Sequence, residues 1–170
     1  MCVVKYLLTL LHDDDPNNSE DCAIRYAAEH GHIHIIEYIV NIPGFSFDIT
    51  HYKSILLAVE KGYLDIIKIL LSLREVHDIR TIHDAIDIAA SNGHLDIIKF
   101  LLTIPRIVPN NDYNSAIRHA SKFGKLDVVE YLLTLKGVDP TANNNAAIRW
   151  ATENEYFDVV AVIKQHLKTD

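Results

Sequence analysis

The sequence predicts an all-α fold, an α-solenoid of stacked antiparallel helical hairpins, and two observations carry this prediction. The first is a 31-residue repeat that relates glycines, alanines and branched aliphatic residues in one register along the chain. The second is that each repeat holds two short helical patterns separated by a turn. One such hairpin has more apolar surface than its own two helices can cover. The hairpins are therefore expected to stack into a linear array.

Four columns of residues carry the repeat, and each keeps its residue type with little variation. One glycine column follows the first helix of each unit, and three apolar columns run through the helices. The columns are Gly31, Gly62, Gly93 and Gly124; Ala27, Ala58, Ala89, Ala120 and Ala151; Ile24, Ile55, Ile86, Ile117 and Ile148; and Ile36, Ile67, Ile98, Val129 and Val160. Four independent columns in one register indicate about five and a half repeat units.

The fourth unit shows how one repeat is built. Its first helix is predicted over 116–122, with Ser115 as the N-cap and Asp84 in the same role one unit earlier. Gly124 can adopt the left-handed conformation that ends a helix, and a second helix is predicted over 126–134. A turn this short makes the two helices antiparallel.

The repeats predict one solenoid domain over 1–170, with distinct ends. The segment 3–10 matches 128–135 nearly residue for residue, so it predicts a lone second helix, which is either a natural cap or a sign of a longer array. In the last unit Glu155 replaces the glycine, and polar residues enter the second helix, as is typical of a capping repeat. The predicted boundaries are 1–11 for the N-terminal half repeat, 20–50, 51–81, 82–112 and 113–143 for repeats 1 to 4, and 144–170 for the C-terminal capping repeat.

Composition and charge exclude several classes of function. The net charge is −7 and no run rich in lysine or arginine occurs, which disfavours nucleic acid and membrane surfaces as partners. No apolar stretch approaches the roughly 20 residues of a membrane-spanning helix. The two cysteines have no disulfide-like spacing, and the N-terminal segment does not have the order of a signal peptide. These features predict an intracellular, cytoplasmic location.

The sequence contains no catalytic or phosphate-binding motif, so we expect neither an enzyme nor a cofactor. His30, His32 and His34 surround one turn and raise the alternative of a metal site. However, His30 and His34 belong to different predicted helices, and no cysteine or aspartate nearby completes a set of four ligands. Surface histidines are the preferred interpretation, and no metal is expected.

Several segments resemble the ankyrin repeat. Residues 93–95 and 97–102 are similar to the Gly-His-Leu turn and the Val-Val-x-x-Leu-Leu second helix of that family. The first helices differ, since Ala-Ile-Arg at 23–25, 116–118 and 147–149 replaces the Thr-Pro-Leu-His start. The step is also shorter than the usual length of roughly 33 residues, which predicts short connections in place of long β-hairpin fingers. This variant resembles ankyrin proteins of large DNA viruses, whose location would be the host cell cytoplasm, and of protists.

The resemblance implies a protein-binding module that uses the concave face and the connection tips of the stack. In the family, binding uses the residue before the first helix and the two residues before the glycine. At these places the residue types vary between units, whereas the core columns do not. Carried over to this chain, the candidate residues are Asp21, His30, Tyr52, Lys61, His83, Asn92, Asn114, Phe123, Asn145 and Asn154. The implied partner is another protein, and the chain is expected to be a monomer unless the N-terminal helix self-associates.

Two questions stay open at this point. Arg25, Arg118 and Arg149 occupy the histidine position of the family start, where they either grip an acidic partner or bond to nearby loop carbonyls and acids. The predicted function is that of a scaffold or adaptor. The alternative is a spacer or assembly segment of a larger protein with no ligand of its own.

Overall fold

The computed structural model describes residues 20–43, 45, 52–73, 79–104 and 113–169. Within these ranges the chain forms ten helices and no strand, which confirms the all-α class. The predicted half repeat over 1–11 and most connections between hairpins lie outside the described residues. The chain divides into two compact units, Met1–His77 and Asp78–Asp170, which are described separately. The organisation as one domain stays a prediction.

The first unit contains two helical hairpins. The first hairpin consists of α1 (Glu20–Glu29) and α2 (Ile33–Val40), and the second of α3 (Tyr52–Lys61) and α4 (Leu64–Ser72). The first helices α1 and α3 pack against each other, and so do the second helices α2 and α4. This side-by-side arrangement of equivalent helices is the stacking that the repeat predicts.

The second unit contains three hairpins. They are formed by α5 (Ile79–Asn92) with α6 (Leu95–Leu101), α7 (Tyr113–Lys122) with α8 (Leu126–Leu133), and α9 (Ala142–Glu153) with α10 (Phe157–Thr169). The central first helix α7 packs between α5 and α9, and α8 packs against α10. Three neighbouring first helices therefore form a continuous layer in this unit.

The apolar columns form the core of both units. All five members of the alanine column are completely buried, because these small residues allow the closest approach of neighbouring first helices. The aliphatic column that begins at Ile36 is also buried in every repeat. One member departs from its column, since Ile148 on α9 is half-buried whereas the equivalent isoleucines of the other four units are buried. Apart from Ile148, the repeat columns lie at matching depths, as the sequence predicts.

The glycine turns have a second role that the repeat alone did not reveal. Gly31 and Gly124 have left-handed backbones, with φ of +73° and +64°, as expected after a helix. A Cβ atom built on Gly31 would lie 2.8 Å from the ring of Tyr63, and one built on Gly124 would lie 2.5 Å from the ring of Tyr156. Each of these rings belongs to the turn of the following repeat. The glycine therefore serves both the turn and the contact between neighbouring repeats.

The predicted N-caps are wrong, because the first helices begin earlier than expected. α7 begins at Tyr113, so Ser115 lies within the helix, and α5 begins at Ile79, which places Asp84 well inside it. The acids of the second helices lie as predicted. Asp65, Asp96, Asp127 and Asp158 lie in the first turns of α4, α6, α8 and α10, where the helix N-terminus favours negative charge.

Candidate protein-binding surface

In the first unit the predicted tip residues lie at the ends of the first helices. Tyr52 is the first residue of α3 and is 39% exposed. Lys61 ends the same helix, and its ammonium lies 3.0 Å from the carboxylate of Glu60. The hydrogen bond and the charge of Glu60 raise the pKa of Lys61, so this exposed lysine stays charged. Asp21 lies in α1, and its side chain lies outside the described part of the structure.

His30 lies at the turn after α1, where it belongs to a group of exposed aromatic rings. Its ring stacks on that of Tyr26 with the centroids 4.1 Å apart, and its Nδ1 lies 2.9 Å from the carbonyl oxygen of Tyr26. The ring centroid of His32 lies 6.1 Å from the ring centroids of both Tyr26 and His30. Tyr26 is 58% exposed although it is held by this stacking. The first unit therefore presents a pre-organised aromatic surface to solvent.

In the second unit Phe123 lies at the turn after α7 and is 45% exposed. The ammonium of the preceding residue, Lys122, lies 5.5 Å from the centre of the Phe123 ring. The same ammonium lies 5.7 Å from the ring of Trp150, which is half-buried on α9. Lys122, Phe123 and Trp150 form an aromatic–lysine cluster that spans two neighbouring repeats.

The predicted asparagines divide into an exposed group and a buried residue. Asn92 and Asn154 are exposed at the ends of α5 and α9, and each donates a hydrogen bond from its amide nitrogen to a carbonyl one turn earlier, at 2.9 and 2.8 Å. Asn145 is also exposed. Asn114 differs, because it is only 8% exposed and its Oδ1 accepts a hydrogen bond of 2.7 Å from the backbone N–H of Asp139. Its geometry is that of a residue that holds the connection after α8.

The first turn of α9 has an unusual, non-helical backbone. Asn143, Asn144 and Asn145 are consecutive left-handed residues, a conformation that asparagine tolerates better than most residues. The Nε of Arg149 donates a hydrogen bond of 3.1 Å to the carbonyl of Asn144. At this position the arginine therefore bonds to a loop carbonyl, which is one of the two alternatives that the sequence left open.

A serine, a histidine and an aspartate meet on the face of α5 and α7. The hydroxyl of Ser115 donates a hydrogen bond of 2.7 Å to Asp87, and Nδ1 of His119 lies 3.3 Å from that hydroxyl and 3.7 Å from the carboxylate. A catalytic triad needs the serine and the acid on different nitrogens of the histidine. Here Nδ1 of His119 faces both the hydroxyl of Ser115 and the carboxylate of Asp87, and the hydroxyl donates its hydrogen bond to the carboxylate directly. The geometry is that of an ion pair with a bridging hydroxyl and does not activate a nucleophile.

This ion pair makes the stability of the chain depend on pH. The carboxylate of Asp87, 3.7 Å from Nδ1 of His119, raises the pKa of His119 above 6.5, against the opposing effects of partial burial and of Arg118. The ion pair makes its full contribution to the free energy of unfolding below the pKa that His119 has in the unfolded chain. This contribution is lost as the pH rises through the raised pKa that His119 has in the folded chain. We therefore expect the melting temperature of His119→Gln to fall below that of the wild type at acidic pH and to approach it at alkaline pH. In an Asp87→Asn background the same substitution should show no such trend, and a pH-independent difference would contradict the assignment.

His83 is the remaining candidate, and it is half-buried on α5. Among the described residues no three histidine, cysteine or acidic side chains are close enough together to hold a metal ion. The same part of the chain contains no helix that is both long and apolar enough to cross a membrane.

Sequence reasoning missed the residues one helical turn before the tips. Tyr26 and Trp150 lie four residues before His30 and Asn154, so they share a helix face with them. The equivalent position holds Leu57, Ile88 and His119 in the other units. This column varies between units as the tips do, and helical spacing from the tips was the signal that could have identified it.

Comparison with known protein families gives a match to ankyrin repeats. The model described as ankyrin repeats, in three copies, matches residues 1–82 and 86–170. A comparison with curated proteins gives no match. The match covers nearly the whole chain, and the stacked hairpins with glycine turns agree with it. This chain therefore belongs to the ankyrin-repeat family.

Proposed function

We propose that this chain is a non-enzymatic scaffold or adaptor that binds another protein through the exposed faces of the first helices in each of its two units. The observation that carries the proposal is the exposure of large aromatic side chains at positions that vary between repeats. Tyr26, Tyr52 and Phe123 are each more than one third exposed, whereas the alanine column on the same helices is buried. Aromatic residues at such positions serve well as anchors in protein interfaces.

Family membership supports the same proposal, since ankyrin repeats are generally protein–protein interaction modules and are typically non-enzymatic. The geometry of Ser115, His119 and Asp87 also argues against a catalytic role for this triad-like group of residues. We further propose a cytoplasmic location and a monomeric chain. The cysteine content supports the location, because two cysteines without disulfide-like spacing suit a reducing compartment.

The proposal is tested by partner capture with a variant of the exposed aromatics. Combined Tyr52→Ala and Phe123→Ala substitutions should leave the helical content unchanged and lower the melting temperature only slightly, because both side chains are more than one third exposed and lie outside the buried core. The same variant should lose most of the protein that the wild type retains from a cell lysate, identified by mass spectrometry. Removal of two interface anchors costs on the order of 2–4 kcal/mol of binding energy in typical complexes.

The matched control is Phe157→Ala. Phe157 is 64% exposed but begins the second helix α10, so it lies outside the proposed face. The control should retain the partner as the wild type does. Equal capture by the wild type, the double variant and the control would contradict the choice of surface. Absence of specific capture by the wild type would favour the spacer alternative.

A further inference from the structure

The charge of Lys122 has no carboxylate partner within the described part of the chain. Lys61 and Lys68, by contrast, lie 3.0 Å from Glu60 and Asp65. The ammonium of Lys122 is instead positioned over the rings of Phe123 and Trp150. Ring faces attract an ammonium through their quadrupole but carry no net charge. The aromatic–lysine cluster therefore presents an uncompensated positive charge between two partly exposed aromatic faces.

The cluster is positioned by packed elements and does not depend on a mobile side chain alone. Lys122 is the last residue of α7, and Trp150 lies on α9, which packs directly against α7. Glu153 occupies the position on α9 that corresponds to Lys122, yet it does not come within ion-pair distance of it. The chain as a whole carries a charge of −7, so this uncompensated lysine stands against the sign of the net charge.

We propose that the aromatic–lysine cluster binds an acidic peptide segment of a partner protein, in which a carboxylate lies next to an aromatic or large aliphatic side chain. The inference rests on the proposed function and names the chemistry of its partner. The apolar side chain packs against Phe123 and Trp150, while the carboxylate pairs with Lys122. Contact with a neutral segment would remove water from the ammonium of Lys122 without supplying a negative charge in its place. A basic segment would be repelled by the ammonium. Charge complementarity therefore selects an acidic segment.

Trp150 is the only tryptophan of the chain, so its fluorescence reports directly on the cluster. The probe is a capped hexapeptide of alternating aspartate and phenylalanine, titrated into the full chain. Its counterpart has asparagine in place of each aspartate. We expect the acidic peptide to change the Trp150 emission and to bind about fivefold more tightly than the neutral one, the effect of one partly exposed charge pair. Added salt should narrow the difference.

Three lysine variants test whether the preference comes from Lys122. Lys122→Gln should bind both peptides equally, whereas Lys122→Arg should keep the preference, since a guanidinium also stacks on rings and pairs with carboxylates. Lys136→Gln removes the same charge from another exposed position of this unit and should keep the preference. Circular dichroism confirms that each variant is folded. Equal binding of the two peptides by the wild type, or a preference that survives Lys122→Gln, would overturn the proposal.

A further variant separates this inference from the proposed function. Phe123→Ala should weaken both peptides, because it removes an apolar contact that they share. Suppose that partner capture requires Tyr52 and Phe123 but that the wild type shows no preference for the acidic peptide. The protein-binding face would then stand and the acidic chemistry of the partner would be rejected. Failure of capture together with a preference removed by Lys122→Gln would instead reject the proposed function as a scaffold and leave the peptide site.

Discussion

Gly124→Ala is expected to destabilise the chain by about 2–5 kcal/mol. The added Cβ meets the ring of Tyr156 at 2.5 Å, and the affected atoms include Cγ, which lies close to the tyrosine backbone and cannot easily move aside. In addition, the left-handed backbone at φ +64° is unfavourable for alanine. Both costs fall on the same turn between α7 and α8. The measurement is chemical denaturation followed by circular dichroism.

Gly93→Ala is the matched control for this prediction. Gly93 has a similar backbone, with φ +83°, but its Cβ would meet the flexible aliphatic chain of Lys125 at 3.1 Å. Gly93→Ala should therefore lower the free energy of unfolding only by the cost of a left-handed alanine, about 1–2 kcal/mol. Equal losses for Gly93→Ala and Gly124→Ala would show that the tyrosine ring contributes nothing. The Gly124→Ala substitution should also cost less in a Tyr156→Ala background, since the clash is then absent.

Asn114→Ala is expected to cost about 1–2 kcal/mol, because it leaves the N–H of Asp139 without its acceptor in a partly buried place. Asn114 is one of the predicted binding residues, so the substitution distinguishes a structural role from a binding role. A structural role predicts lower stability and normal capture of a partner by the folded fraction. The measurements are denaturation and capture on the same preparation.

Asn92→Ala provides the comparison. Its amide donates to the carbonyl of Ile88 from an exposed position, where water can replace it, so the change in stability should stay within about 0.5 kcal/mol. If Asn114→Ala were as stable as Asn92→Ala and lost the partner instead, the structural role of Asn114 would be rejected.

The core and the turns could be predicted from the sequence because they depend on residues that recur. Each alanine of the column that begins at Ala27 must allow a neighbouring helix to approach, so its burial follows from its spacing alone. The start of the first helices could not be predicted in the same way. Ser115 is a good capping residue by type, but its hydroxyl bonds to Asp87 on the neighbouring helix, a contact between repeats that one repeat does not show.

The candidate surface was predicted less completely than the core. The tips His30 and Phe123 follow from their place beside the glycine turn, and Tyr52 follows from its place at the start of a first helix. The cluster with Trp150 depends instead on a side chain from the next repeat. Asn114 shows the opposite failure. Its variable column suggested freedom from packing, yet the connection after α8 folds back and buries it. Contacts of this kind differ from one repeat to the next, so periodicity cannot reveal them.

The rings that cover Gly31 and Gly124 limit how such an array can be rearranged. Because Tyr63 and Tyr156 each occupy the space above the glycine of the preceding repeat, that glycine and the residue 32 positions later form a matched pair. A duplicated or transplanted repeat keeps its own sequence but acquires a new neighbouring repeat. The two repeats then pack well only if one supplies the glycine and the next supplies the ring that covers it. In the last hairpin the left-handed turn position is occupied by Glu155, which has a side chain where the other repeats have glycine. A unit copied with this residue would need a smaller or more adaptable group after it, which makes these repeats specific in order as well as in number.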